Sequence, residues 1–108
     1  MLVVDAMSAR SRLPNRRRAE TIEFDHDGIK YIASVGFFET GGLAEIFLRG
    51  GKSGSAVEAM THDGAVVVSV ALQFGAPLAA IRKALLRLPD GAAAGPLGRV
   101  LDLIEVGA

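Results

Sequence analysis

Polar and apolar residues alternate first with a period of two and later with a period near that of a helix. The switch falls inside residues 47–60, "FLRGGKSGSAVEAM". Before it, "ETIEF" sets Ile22 and Phe24 on one face, and "IKYIASVGFF" sets Ile29, Tyr31, Ala33 and Val35 on one face. "LAEIFL" puts Leu43, Glu45 and Phe47 on one side and Ala44, Ile46 and Leu48 on the other. Such alternation marks half-buried strands. "DHDG" at 25–28 and "ETGG" at 39–42 separate them, and Asp and Gly tolerate the positive φ of tight turns. Three strands at this spacing predict an antiparallel meander.

After the switch, Val57, Met60, Thr61, Gly64, Val67, Val68 and Ala71 recur at helical spacing and predict a helix over 56–74. Ser53 or Ser55 suits its N-cap, with Glu58 placed for a capping box at Ser55. "AVVVSVAL" has strand propensity through its valines, but the length and the flanking caps favour helix. Gly75 suits the C′ position and Pro77 the first turn of the next helix. That helix carries the stripe Leu78, Ile81, Leu85 and Leu88 beside Arg82, Lys83 and Arg87, and Pro89 ends it. "DGAAAG" reads as a loop, and Pro96 opens a last helix with Leu97, Val100, Leu101 and Ile104. The expected fold is α+β: a three-stranded antiparallel β-meander followed by two main helices and a short C-terminal helix packed on one sheet face. Residues 20–106 form its single domain, and residues 1–19 read as a flexible basic arm. Met1 and Met7 are both candidate starts.

Residues 64–81 contain no charge over eighteen positions, about the minimum for a membrane span. Ser69, Gln73, Gly75 and Pro77 interrupt the run, so two buried helices are expected and no membrane contact. The N-terminus does not read as a signal peptide, because only a few apolar residues precede Asp5.

Half of the 108 residues are hydrophobic and 22% are charged, as in a soluble globular domain. Twelve basic residues balance twelve acidic ones, so global charge points to neither nucleic acid nor membrane. The distribution is uneven: Arg10, Arg12, Arg16, Arg17 and Arg18 fall within nine residues. That cluster suits phosphates of a nucleic acid or a nucleotide, a solubilising tail, or an arm lying across a neighbouring subunit. With no cysteine, disulfides, thiolate metal sites and thiol catalysis are excluded. The composition is compatible with the cytoplasm.

Arg49, Gly50, Gly51, Lys52, Ser53, Gly54 and Ser55 are the candidate ligand-binding residues. Glycines, two hydroxyls, a lysine and a helix N-terminus together attract anions, because unpaired N–H groups and the helix dipole point the same way. A Walker loop is excluded, since its leading glycine position falls on Ile46. The plain alternative is a turn whose glycines let a strand become a helix. Arg16, Arg17, Arg18, Arg82 and Arg99 are candidate accessory phosphate contacts. His26, between Asp25 and Asp27, reads as a hydrated turn, and His62 beside Asp63 as mid-helix; neither predicts a metal site. No Ser-His-Asp order or carboxylate pair stands out, so no catalytic residue and no cofactor is assigned. Tyr31, Phe37 and Phe38 are able to stack on a base, although strand aromatics usually fill cores.

The run "AEIFLRGGKSGSAVEAM…VVVSVALQFGAPLAAIRKAL" resembles the TSCPD domain, from about Glu20 to Ile104. That family occurs at the C-terminus of adenosylcobalamin-dependent ribonucleotide reductases and in small stand-alone proteins. The glycine-lysine-x-glycine-serine turn followed by this helix pair carries the resemblance. The Thr-Ser-Cys-Pro-Asp motif of the name is missing: the region reads "AAAGPLG", with the proline and without a thiol. Cysteine-based metal or redox roles therefore do not transfer, and the reductase barrel and cobalamin site lie outside such a module. Small phage members of this kind are also similar to anti-defence sponges, oligomers that sequester nucleotide signals.

Together these readings lead to one expectation, a non-catalytic homo-oligomeric nucleotide-binding module, working in the cytoplasm. An accessory or regulatory partner of a reductase is the first alternative. Nucleic-acid binding through residues 10–18 is the second.

Overall fold

Asp27 and Gly28 both have positive φ, 51° and 78°, the requirement of a two-residue type I′ hairpin turn. In the computed structural model, which describes residues 9–105, this turn joins β1 (Ala19–His26) to β2 (Ile29–Phe37). Phe24 lies opposite Tyr31 and Ile22 opposite Ala33, so the apolar alternation of both strands faces one side. β3 (Leu43–Gly50) pairs antiparallel with β2, giving the order β1-β2-β3. The predicted meander is present.

One residue departs from the alternation. Gly36 pairs with Glu45 and Phe37 with Leu43, which leaves Ala44 outside the ladder as a bulge. The extra residue reverses the phase of the strand. Leu43, expected beside Glu45 and Phe47, is therefore turned inward and buried, while Phe47 stays exposed.

α1 (Ala56–Gln73) packs along β3, as the change of period predicts. Its buried side is rotated from the expected stripe and shares only Thr61 and Val68 with it. Thr61, Ala65, Val68, Ser69, Leu72 and Gln73 face inward, whereas Val57, Met60 and Val67 are exposed. The cause is the free edge of β3. Ser69 Oγ accepts from the Ile46 N–H at 2.8 Å, and its one proton serves the Ile46 carbonyl at 2.9 Å or the Ala65 carbonyl at 3.0 Å. One turn later, Gln73 Nε2 donates to the carbonyl of the bulged Ala44 at 3.1 Å. Backbone groups buried without partners are costly, so two polar side chains take inward positions that a hydrophobic stripe would have claimed.

α2 (Leu78–Ala84) is shorter than its apolar stripe suggests. Leu85 is already extended, at φ −75° and ψ 153°. Pro89 has no N–H, and its ring would meet the carbonyl four residues back, that of Leu85. Leu86 and Leu88 are consequently exposed, and Leu88 is not part of a helical stripe. The segment read as a loop closes into a small hairpin: Leu88 N–H donates to Ala92 O, and Arg87 bridges Ala93. α3 (Pro96–Glu105) then sends Val100 and Leu101 into the core beside Val35, Ile46 and Leu48. All three helices thus follow the sheet in an α+β arrangement. None of the described helices is long and apolar enough to cross a membrane.

Asp102 of α3 receives Arg87 Nη2 at 2.9 Å and Arg82 Nε at 3.0 Å, tying α2 and the hairpin to the last helix. Chiefly through the Arg87 hydrogen bond, its carboxyl is lowered from 3.8 to about 2. The unfolded chain binds that proton more tightly than the folded one, so the pair stabilises fully above the ordinary carboxylate range. The contribution fades as pH falls from about 4 toward about 2. Asp102→Asn should lower stability at neutral pH by about 1.5 kcal/mol, the low end for a charged hydrogen bond because the group is partly solvated. Urea titrations of parent and variant should converge near pH 2. A gap that stays constant with pH would exclude this role.

Ser69→Ala should destabilise by about 1–3 kcal/mol, since it leaves the buried Ile46 N–H unpaired. A loss under about 0.5 kcal/mol in urea, the range of an indifferent surface change, would mean that the edge does not need its partner.

Candidate functional site

Gly50 ends β3 opposite Tyr31, and a Cβ there would overlap the Tyr31 ring. Gly51 and Gly54 have φ of 86° and 80°, a region that side-chain-bearing residues avoid. The double glycine and the third one are therefore needed by the turn itself. Ser55 caps α1, its Oγ accepting from the Glu58 N–H at 3.1 Å. Glu58 reaches back, but to the Gly54 N–H at 2.8 Å rather than to the cap residue. Its carboxylate thus stands at the helix N-terminus, where a bound anion would otherwise sit. Arg49, Lys52, Ser53 and Gly54 are exposed, and Gly50, Gly51 and Ser55 are half-buried.

The arginines of residues 10–18 lie elsewhere, against the other end of α1 and the outer side of the sheet. The Ser11 N–H donates to Gln73 O at 2.8 Å, satisfying a carbonyl of the last helical turn. Arg10 Nε donates to Gln73 Oε1 at 2.7 Å. Arg17 Nε and Nη2 both meet Glu45 Oε2, at 2.7 and 2.6 Å, and its Nη1 donates to Pro14 O at 2.6 Å. Glu45 is able to lie across the sheet only because Gly36 opposite it has no side chain. Arg18 stacks 3.8 Å above the Phe37 ring and pairs loosely with Glu20 at 3.7 Å. Part of the stretch read as an arm is therefore laid onto the domain.

Two cavities open along this stretch. One, of about 440 Å³, is lined by Arg10, Arg12, Arg17, Glu45 and Gln73 among others. The second, of about 260 Å³, is lined by Arg16, Arg17, Arg18, Phe38 and Glu39 among others. Arg17 belongs to both. Two apolar hollows occupy the opposite region. Val57, Met60, Pro96 and Leu97 line one of about 270 Å³, and Leu85, Leu86 and Leu97 line one of about 220 Å³. None of these four cavities is lined by residues 49–55.

The remaining sequence-predicted residues are scattered. Arg82 is engaged by Asp102, with Glu105 Oε1 at 3.5 Å, and Arg99 is exposed on α3. Neither is brought to the glycine turn or to the arm cavities. His26 is not the hydrated turn residue expected: it closes β1, and its Nε2 lies 3.0 Å from Ala94 O, largely covered by the hairpin region. His62 is exposed beside Asp63. Among the described residues no group of three His, Asp or Glu is arranged to hold a metal. Tyr31 stacks on Phe24 at 5.5 Å inside the core, and Phe37 is buried, which leaves Phe38 as the ring at a cavity wall. Sequence reasoning named Arg10 and Arg12 only as members of the arginine cluster and Phe38 only as a ring able to stack on a base, and it gave Gln73 no site role. The arginine cluster was the signal for the first two, and a lone amide in an apolar run was the signal for Gln73.

The family model of the TSCPD domain matches residues 7–104. The vitamin B12-dependent ribonucleotide reductase of Agrobacterium fabrum is 39% identical over 69 residues, 64% of this chain and 5% of that protein. The enzyme of the same name from Streptantibioticus cattleyicolor is 36% identical over 76 residues, 70% of this chain and 13% of its own. That of Bradyrhizobium diazoefficiens is 35% identical over 72 residues, 67% of this chain and 6% of its own. This chain therefore spans only a small part of the length of these relatives. No solved structure matches it. With the family model covering nearly all of the described residues, and with its sheet followed by helices, this chain belongs to the TSCPD domain family.

Proposed function

We propose that this chain is a non-catalytic binding module that self-associates through the solvent side of α1 and takes a nucleotide-type anion as its ligand. The exposed apolar face of α1 carries the reading. Met60 and Val67 are each 67% exposed, Val57 and Val66 are exposed beside them, and Leu86 is 78% exposed across the Leu97 hollow. His62 and Asp63 are the only charge-bearing exposed residues on the helix. Contiguous apolar surface of this kind marks an interface rather than a site of chemistry. A second copy is the occupant we favour. The face carries one exposed carboxylate, Asp63, between Met60 and Val67. It is able to mate with itself about a two-fold axis, and a chain of net charge zero adds no overall repulsion between copies.

The anion reading draws on the arginine-rich stretch and on the exposed Arg49 and Lys52 at the glycine turn. In its finest form the module sequesters a nucleotide signal in the cytoplasm. A second reading, an accessory domain acting on a reductase, is favoured by the relatives, in which the matching segment is a minor part of a ribonucleotide reductase. On that reading the α1 face meets the reductase body. Nucleic-acid binding is less favoured, because Arg10 and Arg17 spend hydrogen bonds on Gln73 and Glu45.

Light scattering at micromolar concentration should give a dimer or larger, and Val67→Glu should yield a folded monomer whose melting temperature, unlike the parent's, no longer rises with protein concentration. A parent chain that runs as a clean monomer would overturn self-association. If it then binds a reductase lacking this segment, the accessory reading stands instead. For the ligand, melting temperature should rise steadily with added nucleotide, as linkage requires for any ligand of the folded state. No rise with linear or cyclic nucleotides would remove that half of the proposal.

A further inference from the structure

We infer that the anion site is the pair of cavities beneath residues 10–18, with Arg12 and Arg16 holding phosphate and Phe38 beside the base, rather than the glycine turn. This rests on the nucleotide-type reading above and assigns it a place. The two candidate places differ in what already fills them. At the turn, the Glu58 carboxylate bonds the Gly54 N–H at 2.8 Å, so the helix start carries its own anion and would repel another. Along residues 10–18 the balance is reversed. Five arginines line the two cavities, against two carboxylates, Glu45 and Glu39.

The five are not equivalent. Arg17 is committed to Glu45, and Arg10 to Gln73, so these two hold the wall. Arg18 lies over Phe37. Arg12 and Arg16 are exposed and have no side-chain hydrogen bond or ion pair among the described residues. They are the guanidiniums able to fork onto phosphate oxygens without breaking the fold. Arg17 lines both cavities, so a ligand spanning them would meet Arg12 in the larger and Arg16 in the smaller. Its base would then meet Phe38 and the Arg18 plane, and stacking on ring and guanidinium faces is how proteins hold a lone base. The larger cavity, about 440 Å³, lies within the range of small-molecule sites, roughly 300–1,000 Å³. The bonds that tie Arg10 to Gln73 and Arg17 to Glu45 break up the continuous basic stripe that a nucleic-acid backbone would want.

The test is calorimetry of the full chain with ATP, inorganic tripolyphosphate and a single-stranded oligonucleotide as probes. Arg12→Gln with Arg16→Gln should weaken both ATP and tripolyphosphate at least about tenfold, as loss of a charge-assisted hydrogen bond does, with an unchanged melting temperature. Phe38→Leu should weaken ATP alone. Lys52→Ala should leave both affinities within about twofold, the scale of an exposed charge that touches nothing. The reverse pattern, Lys52→Ala lost and the double arginine variant intact, overturns this assignment while keeping nucleotide binding. No binding of ATP or tripolyphosphate by the parent overturns both. An oligonucleotide that binds more tightly than ATP, with a steep salt dependence removed by the arginine variant, overturns the small-ligand site in favour of nucleic acid.

Discussion

The unpaired edge of β3 decides how the rest of this small domain is arranged. In a three-stranded open sheet two edges have no neighbour, and β3 is one of them. Ile46 is fully buried there, so its N–H and carbonyl have no water to turn to. A helix laid against such an edge must bring polar groups with it, one per turn, and α1 does so with Ser69 and Gln73. This fixes the rotation of the helix about its axis. Once Ser69 and Gln73 point inward, Ala65, Val68 and Leu72 fill the core between them, and Met60, Val66 and Val67 are left on the far side. The exposed apolar face is thus a consequence of satisfying a strand edge. It is not surplus hydrophobicity.

That same constraint separates what was legible in the sequence from what was not. The strands, both turns, the change of period and the cap at Ser55 each rest on local chemistry, and local chemistry is written in neighbouring residues. The rotation of α1 is not local. Counting apolar residues ranks Met60 and Val67 above Ser69 and Gln73, whereas the strand's backbone reverses the ranking. Leu43 departs from its expected face for a related reason: a bulge at Ala44 changes phase by one residue and leaves no mark in a hydrophobic pattern. Leu88 was misplaced because the stripe Leu78, Ile81 and Leu85 continues to it by spacing, although Pro89 forbids the helix from arriving.

The glycine turn shows how one motif supports two readings until its neighbours are seen. Glycines, hydroxyls and a helix start are what an anion site needs, and also what a strand-to-helix turn needs. Gly50 is required by the Tyr31 ring and Gly51 by its backbone angle, so the turn accounts for both without a ligand. Glu58, three residues after the cap, was legible as a capping-box residue. What the sequence could not reveal is that its carboxylate reaches the Gly54 N–H and so takes the place a phosphate would have. A cap that supplies its own negative charge makes the turn more stable and less receptive at once.

Gln73 connects these threads. Its amide nitrogen serves the bulge of β3, its amide oxygen receives Arg10, and its backbone carbonyl receives the Ser11 N–H. One side chain therefore joins the strand edge, the end of α1 and the stretch that carries the arginines. Arg17 does the same from the outer side of the sheet, through a Glu45 that needs Gly36 opposite it. The cavity walls are anchored at two points in the folded core, so Arg12 and Arg16 are presented from a fixed frame rather than from a loose tail. On the reading proposed above, fixing these cationic groups in advance would lower the ordering cost of binding. It also makes the arginine stretch an extension of the domain, dependent on the same edge that sets the helix.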